Sequence, residues 1–441
     1  MPNTSSSSIR DRFFERFRKR PPLFNKAAIM VGARGLGMAF GVVGSVWAAR
    51  CLGPRNFGIS GMVQSFALFT GVLITVIYPL VLIRDYKNAP SDEARNHLIQ
   101  ITNGFRLTIS LGFCALAALF LGLGLEPTDF HFAGWFFLPI LFLNALQPTW
   151  IFQAAEKQHF QSLLAVLQPA LTAVYYIAFI RPGMSAGRDL LGITVVSAIL
   201  TYVYWRAVLK LTSFRGRFFI LNGWGEVWAL ILKSRWLFIS ALAIFVYNSL
   251  DQPLLGWLHS LEEQGRYRTA VRVTDAAQGF LAILPSIFFP RFIEWRKSGE
   301  EFFWGRQKKL LGLGLAFGGL AVILGFILIP LLYPFVFGAV YARAAWPCAI
   351  LISAKLVDAL GQIFSLGLMT DHAYDKVILS ATLGTAVFSL GSNLLFIPRF
   401  GMYSAASVNL ASEALMLGVC FWMARRRIRQ IRETRRVVRG Q

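Results

Sequence analysis

Residues 27–49 read AAIMVGARGLGMAFGVVGSVWAA, and residues 403–424 close the apolar part of the chain with YSAASVNLASEALMLGVCFWMA. A bilayer's hydrocarbon core is crossed by about 20 apolar residues in a helix, and each block meets that length. Strands of a membrane barrel are only about half as long, so helices satisfy the backbone here. Working inward from these two blocks, the same pattern recurs at roughly 58–83, 98–124, 133–155, 162–180, 189–208, 233–257, 267–290, 309–336, 345–369 and 376–397. The chain therefore reads as an all-α polytopic membrane protein of about twelve transmembrane helices.

With 441 residues, 56% of them hydrophobic, little remains for a soluble domain. The net charge of +22 admits nucleic-acid binding, but topology explains it better, because cytoplasmic loops accumulate Lys and Arg. With both termini inside, the basic clusters RDRFFERFRKR, KLTSFRGR, RFIEWRKS and RRRIRQIRETRR all fall on the cytoplasmic side, and no nucleic-acid partner is expected. An odd number of spans would expose one terminal cluster, which favours an even count. The predicted organisation is a basic cytoplasmic N-terminal arm (1–26), a six-helix lobe (27–208), an amphipathic cytoplasmic linker (209–232), a second six-helix lobe (233–424) and a basic cytoplasmic tail (425–441) that can touch anionic lipid headgroups. The lobes are expected to be related by a pseudo-two-fold axis along the membrane normal, around a central cavity. Leu52-Gly53 before Gly58, and Leu255-Gly256 before Gly265, are a faint internal echo of that symmetry.

Four cysteines (Cys51, Cys114, Cys348, Cys420) are scattered without metal-ligand spacing. The chain carries no Walker A lysine, HExxH zinc pair or GxSxG elbow. A glycosyltransferase or polymerase would call for acidic residues or histidines in a large outer loop, and the five histidines lie in separate short ones. The expectation is a transporter, not an enzyme, with no cofactor.

Four segments carry a family resemblance. AARCLGPRNFGISGMVQSFALF (48–69), PTWIFQAAEKQHF (148–160), DQPLLGWLHSLEEQGRYRTAVRV (251–273) and IPRFGMYSAASVNLASEAL (397–415) occur in order across nearly the whole chain. Together they resemble the bacterial flippases of O-antigen and exopolysaccharide assembly, within the multidrug, oligosaccharidyl-lipid and polysaccharide exporter superfamily. The resemblance implies alternating access in the bacterial inner membrane, with an undecaprenyl-diphosphate-linked oligosaccharide as substrate. The polymerase and other polysaccharide-assembly membrane proteins are its implied companions. An ion-coupled antiporter of the same superfamily, exporting a small drug or metabolite, is the alternative.

Charges inside spans are costly and mark a cavity or a partner. Arg34, Arg106, Arg272 and Lys355 make a cationic cavity the expectation, suited to phosphate oxygens, with Gln147 and Asn248 among the amides available to sugar hydroxyls. Glu413, Asp251, Asp275 and Asp358 are the candidates for coupling to a proton or sodium ion. Two readings stay open for Asp275 and Asp358, each three residues from a cation on its own helix: an internal ion pair or a coupling group. Glu413 likewise either pairs with Lys355 or serves the coupling ion.

Overall fold

The computed structural model describes residues 22–124, 130–212, 214, 217–220, 222–281, 292, 295, 298–368 and 375–439. The N-terminal arm before residue 22, most of RFIEWRKS and residues 125–129 lie outside these. Every regular element among the described residues is helical. In chain order they are α1 (22–52), α2 (54–74), α3 (Pro79–Asn88), α4 (Asp92–Gly122), α5 (His131–Gly134), α6 (Phe137–Ala145), α7 (Thr149–Ala154), α8 (Gln158–Phe179), α9 (Ala186–Leu211), α10 (Trp224–Ser249), α11 (Asp251–Leu258), α12 (Leu261–Leu281), α13 (Glu300–Phe337), a short 3-10 helix (Ala339–Ala344), α14 (Ala345–Leu368), α15 (375–400) and α16 (402–439).

Local chemistry sets these boundaries. Ser91 caps α4 by accepting from the Ala94 amide at 3.2 Å, and Asp92 and Glu93 occupy the first turn, where the helix dipole favours anions. Gly53 (φ 72°) breaks the run Pro22–Ile74 just before Pro54, and Gly401 (φ 56°) breaks Asp375–Arg439 just after Pro398. A straight helix through either run would be far longer than a bilayer's hydrocarbon core of about 30 Å, so both glycines are turning points.

Among the described residues, nine helical runs are long and apolar enough to cross a membrane, and Gly53 and Gly401 lie within two of them. α12 is not one of the nine. It carries Arg266, Arg268, Arg272 and Asp275 because it faces protein rather than lipid, with Gln264, Tyr267, Thr269 and Ala270 fully buried. α13 is its opposite: Phe317, Leu331 and Phe335 all point outward, as a lipid-facing helix requires.

α10 begins at Trp224, earlier than the span boundary of 233 expected from hydropathy. Its first turns pack on the first half of the chain. Val227 and Leu230 share a core with Ile77, Tyr204 and Val208; Lys233 meets Asp85 at 3.1 Å, and Ser234 accepts from the Tyr78 amide. The linker is tied to α4 as well, through Asn103 donating to the Phe218 carbonyl and the Ile220 amide donating to Gln100.

The halves meet where α2 crosses α12. A side chain on Gly58 would run into the Leu261 carbonyl, and one on Gly265 would run into the Pro54 carbonyl. Both clashes belong to one close approach, of residues 54–58 with residues 261–265. Small residues at both positions let the two backbones touch.

Candidate functional site

A cavity of about 720 Å³ is walled by α1, α2, α7, α8 and α9 of the first half and closed on one side by α12 of the second. It runs from the start of α8 at Gln158 to Tyr176, and along α1 from Ala33 to Ser45. Gly37, Gly41 and Gly44 let α1 lie close to Pro169 and Ala173 of α8, which brings both helices to one wall. The charged lining is Arg34, Arg272 and Asp275; Gln64, Gln153, Gln158, Gln161 and Gln168 supply the amides.

The end away from the termini is closed by a core drawn from both halves. Ala48, Ala49, Leu52 and Phe57 pack there with Tyr267, Tyr333, Phe337 and Tyr341. Polar latches cross it. Arg50 donates from Nε to the Val336 carbonyl at 2.8 Å and from Nη2 to the Phe335 carbonyl, so a cation caps the C-terminus of α13. Tyr341 donates to the Ala49 carbonyl at 2.7 Å. Arg268, 3% exposed, donates to the Phe57 carbonyl at 2.7 Å and stacks on the Phe57 ring at 4.3 Å. Glu263 accepts from the Met402 amide at 3.0 Å, which pins the Gly401 break to α12.

A second polar centre lies within the second half. Lys355, buried on α14, donates to Asn248 Oδ1 at 3.2 Å. Asp251, Asp275, Asp358 and Glu413 all lie within its electrostatic reach. Asp251 accepts from the Tyr267 hydroxyl at 2.5 Å. Asp358 accepts from Gln362 at 2.9 Å and Gln278 at 3.3 Å. Glu413, 2% exposed, has an Oε1 without a hydrogen-bond partner among the described residues.

The structure thus sorts the residues expected from sequence into two groups. Arg34, Arg272 and Asp275 share the cavity; Lys355, Asn248, Asp251, Asp358 and Glu413 form the second centre, with Lys355 beside carboxylates rather than in the cavity wall. Arg106 is buried in α4 and Gln147 sits at the α6–α7 break, outside both. The same-helix partners do not bond each other. Arg272 donates to Gln64 instead of Asp275, and Asp358 takes glutamine amides instead of the Lys355 ammonium. Hydropathy missed Gln158, Gln161 and Gln168. Their signal is a stripe with Thr172 along one face of an apolar helix, at spacings of three, seven and four.

Residues 23–295 match the profile of a family described as "Polysaccharide biosynthesis protein". The chain is 22% identical over 400 residues to the "Putative O-antigen transporter" of Escherichia coli (strain K12), covering 86% of this chain and 91% of that protein. Its fold is similar to that of the "Lipid II flippase MurJ, inward closed conformation", with a TM-score of 0.72 at 11% identity, over 90% of this chain and 87% of the other. It is also similar to an inward-facing multidrug resistance MATE family transporter of the MOP superfamily, with a TM-score of 0.65 at 14% identity, over 92% and 99% of the two chains.

Proposed function

This chain belongs to the polysaccharide biosynthesis protein family, and we propose that it is a flippase carrying an undecaprenyl-diphosphate-linked oligosaccharide across the bacterial inner membrane. The observation that carries this reading is the lining of the cavity. Two arginines supply forks for diphosphate oxygens, and the glutamines supply donors and acceptors for sugar hydroxyls. The lipid tail stays in or beside the bilayer while the polar head moves through the cavity. Alternating access follows from the closed end: with Arg50, Arg268 and Tyr341 latched, the cavity is reached from the end that bears the chain termini, which the basic clusters assign to the cytoplasm.

The Lys355 centre is the place for a coupling ion. It brings three carboxylates, Asp251, Asp358 and Glu413, within reach of one cation inside the second lobe, and an excess of acid there suits a proton or sodium ion.

The test is a strain whose own gene is deleted and replaced by Arg34→Ala or Arg272→Ala. Surface polysaccharide should be lost while the protein stays in the membrane at normal abundance. Arg272→Lys should restore it only in part, because the bidentate fork is gone. Normal surface polysaccharide in the deletion strain would favour the antiporter reading, and normal polysaccharide in both alanine strains would overturn the role of the arginines.

A further inference from the structure

Arg272 and Gln64 are only the first two members of a longer chain. Arg272 Nη2 donates to Gln64 Oε1 at 3.2 Å. Gln64 Nε2 donates to Ser60 Oγ at 3.0 Å, and Ser60 Oγ donates in turn to Asp189 Oδ2. Every donor points the same way, from guanidinium to carboxylate, so each bond polarises the next. Ser60 and Asp189 are fully buried, while Arg272 and Gln64 line the cavity. Asp189 lies in the first turn of α9, where the helix dipole holds a negative charge in place.

The chain joins three helices and crosses between the lobes: Arg272 is on α12, Gln64 and Ser60 on α2, Asp189 on α9. Gln64 is one helical turn further from the closed end than Ser60, so the bonds climb from the cavity towards the latches. Ser60 itself sits between Gly58 and Gly61, the two glycines through which α2 lies against α12. Arg268, which latches Phe57, is within electrostatic reach of both Asp189 and Arg272.

We propose that this chain reports cavity occupancy to the closed end: an anionic group that takes Arg272 breaks its bond to Gln64, and the released chain loosens α2 from its place between α9 and α12. Asp189 is the positioning residue that holds the chain in its resting arrangement. The proposal rests on the reading of Arg272 as a diphosphate ligand. Its physical basis is a competition. Arg272 meets one neutral amide oxygen in the resting state, whereas phosphate offers a charged, bidentate partner whose bonds are roughly twice as strong.

The experiment uses the full chain in lipid nanodiscs, with its four cysteines replaced and spin labels placed through Arg55→Cys and Val340→Cys, which lie at the closed end in different halves. Geranylgeranyl diphosphate is the probe, and geranylgeraniol the control without phosphates. The unaltered network should give a longer label distance with the diphosphate and no change with the alcohol. Gln64→Leu should bind the diphosphate about three- to ten-fold more tightly, because Arg272 is already free, and Asp189→Ala, which keeps the Arg272–Gln64 bond, should bind it as before; neither should show lengthening. Asp189→Asn, which keeps an acceptor for Ser60, should restore part of the response; Ser60→Ala is the second variant should Asp189→Ala fail to fold. Variants that lengthen the distance as the unaltered network does, at unchanged affinity, would overturn the proposal while leaving the diphosphate site intact. An unaltered network that neither binds the probe nor responds would overturn the Arg272 reading on which it rests.

Discussion

Glu413 shows what a single residue can carry in this molecule. It is held in the bundle at 2% exposure, beside Asp358 and Lys355, and one of its oxygens has no partner among the described residues. A carboxylate so placed is expensive in a membrane protein, which makes it the first residue to test for ion coupling. Glu413→Gln, which fixes the neutral form, should leave flipping in vesicles insensitive to an imposed pH or sodium gradient. A normal gradient response in that variant would move the coupling group elsewhere, with Asp251 next in order. At this scale the position of several candidates is legible in the sequence, because an ionisable residue inside an apolar run announces itself; Arg34, Arg272 and Asp275 do line the cavity and Glu413 is buried. Asp189 is not legible in this way. It follows RPGMSAGR, reads as the edge of a loop, and only the packing of α9 against α2 turns it into a buried anion.

At the scale of the element, the crossing of α2 and α12 depends on the absence of two side chains. Gly58→Ala or Gly265→Ala should lower the thermal midpoint of the detergent-solubilised protein, at a cost of about 1–3 kcal/mol or more, because each new methyl meets a backbone carbonyl that cannot step aside. Gly71→Ala on the same run has open space around its Cβ and should be neutral or slightly stabilising. Equal effects at the three positions would contradict the close approach. Hydropathy gives most of the helices but misjudges two features of them. α12 begins at Leu261, ahead of the expected span 267–290, because its polar first turns pack against protein rather than lipid. α10 starts early because Trp224 and Trp228, read as a surface stretch, already belong to the helix that docks on the first half.

For the whole molecule, the closed end and the open cavity fit one state of the alternating access proposed above, with residues of both halves packed at the closed end. The basic clusters predict its orientation, with both termini in the cytoplasm. Alkaline-phosphatase fusions near Gly187, Glu262 and Arg399 should be active, and fusions after Asn88, at Gly216 and in the tail silent; activity at Gly216 would invert the topology. Arg50→Ala removes the cation that caps α13, and should shift labels across the closed end towards longer distances even without substrate. The two-lobe plan was visible in the sequence through the paired loops around Gly53 and Gly256, but their register was not. The close contact of Gly58 with Gly265 is a fact of packing that no spacing encodes.

The most direct test of the central claim is transport by the purified chain. Liposomes containing it would be loaded with a fluorescent undecaprenyl-diphosphate oligosaccharide, and the fraction reached by a membrane-impermeant quencher followed over time. The account predicts that the chain moves the lipid between leaflets, that Arg272→Ala does so at least about ten-fold more slowly, and that an uncharged undecaprenyl-linked sugar is not moved. Equal rates for the charged and uncharged lipids, or for the chain and its Arg272→Ala variant, would contradict it.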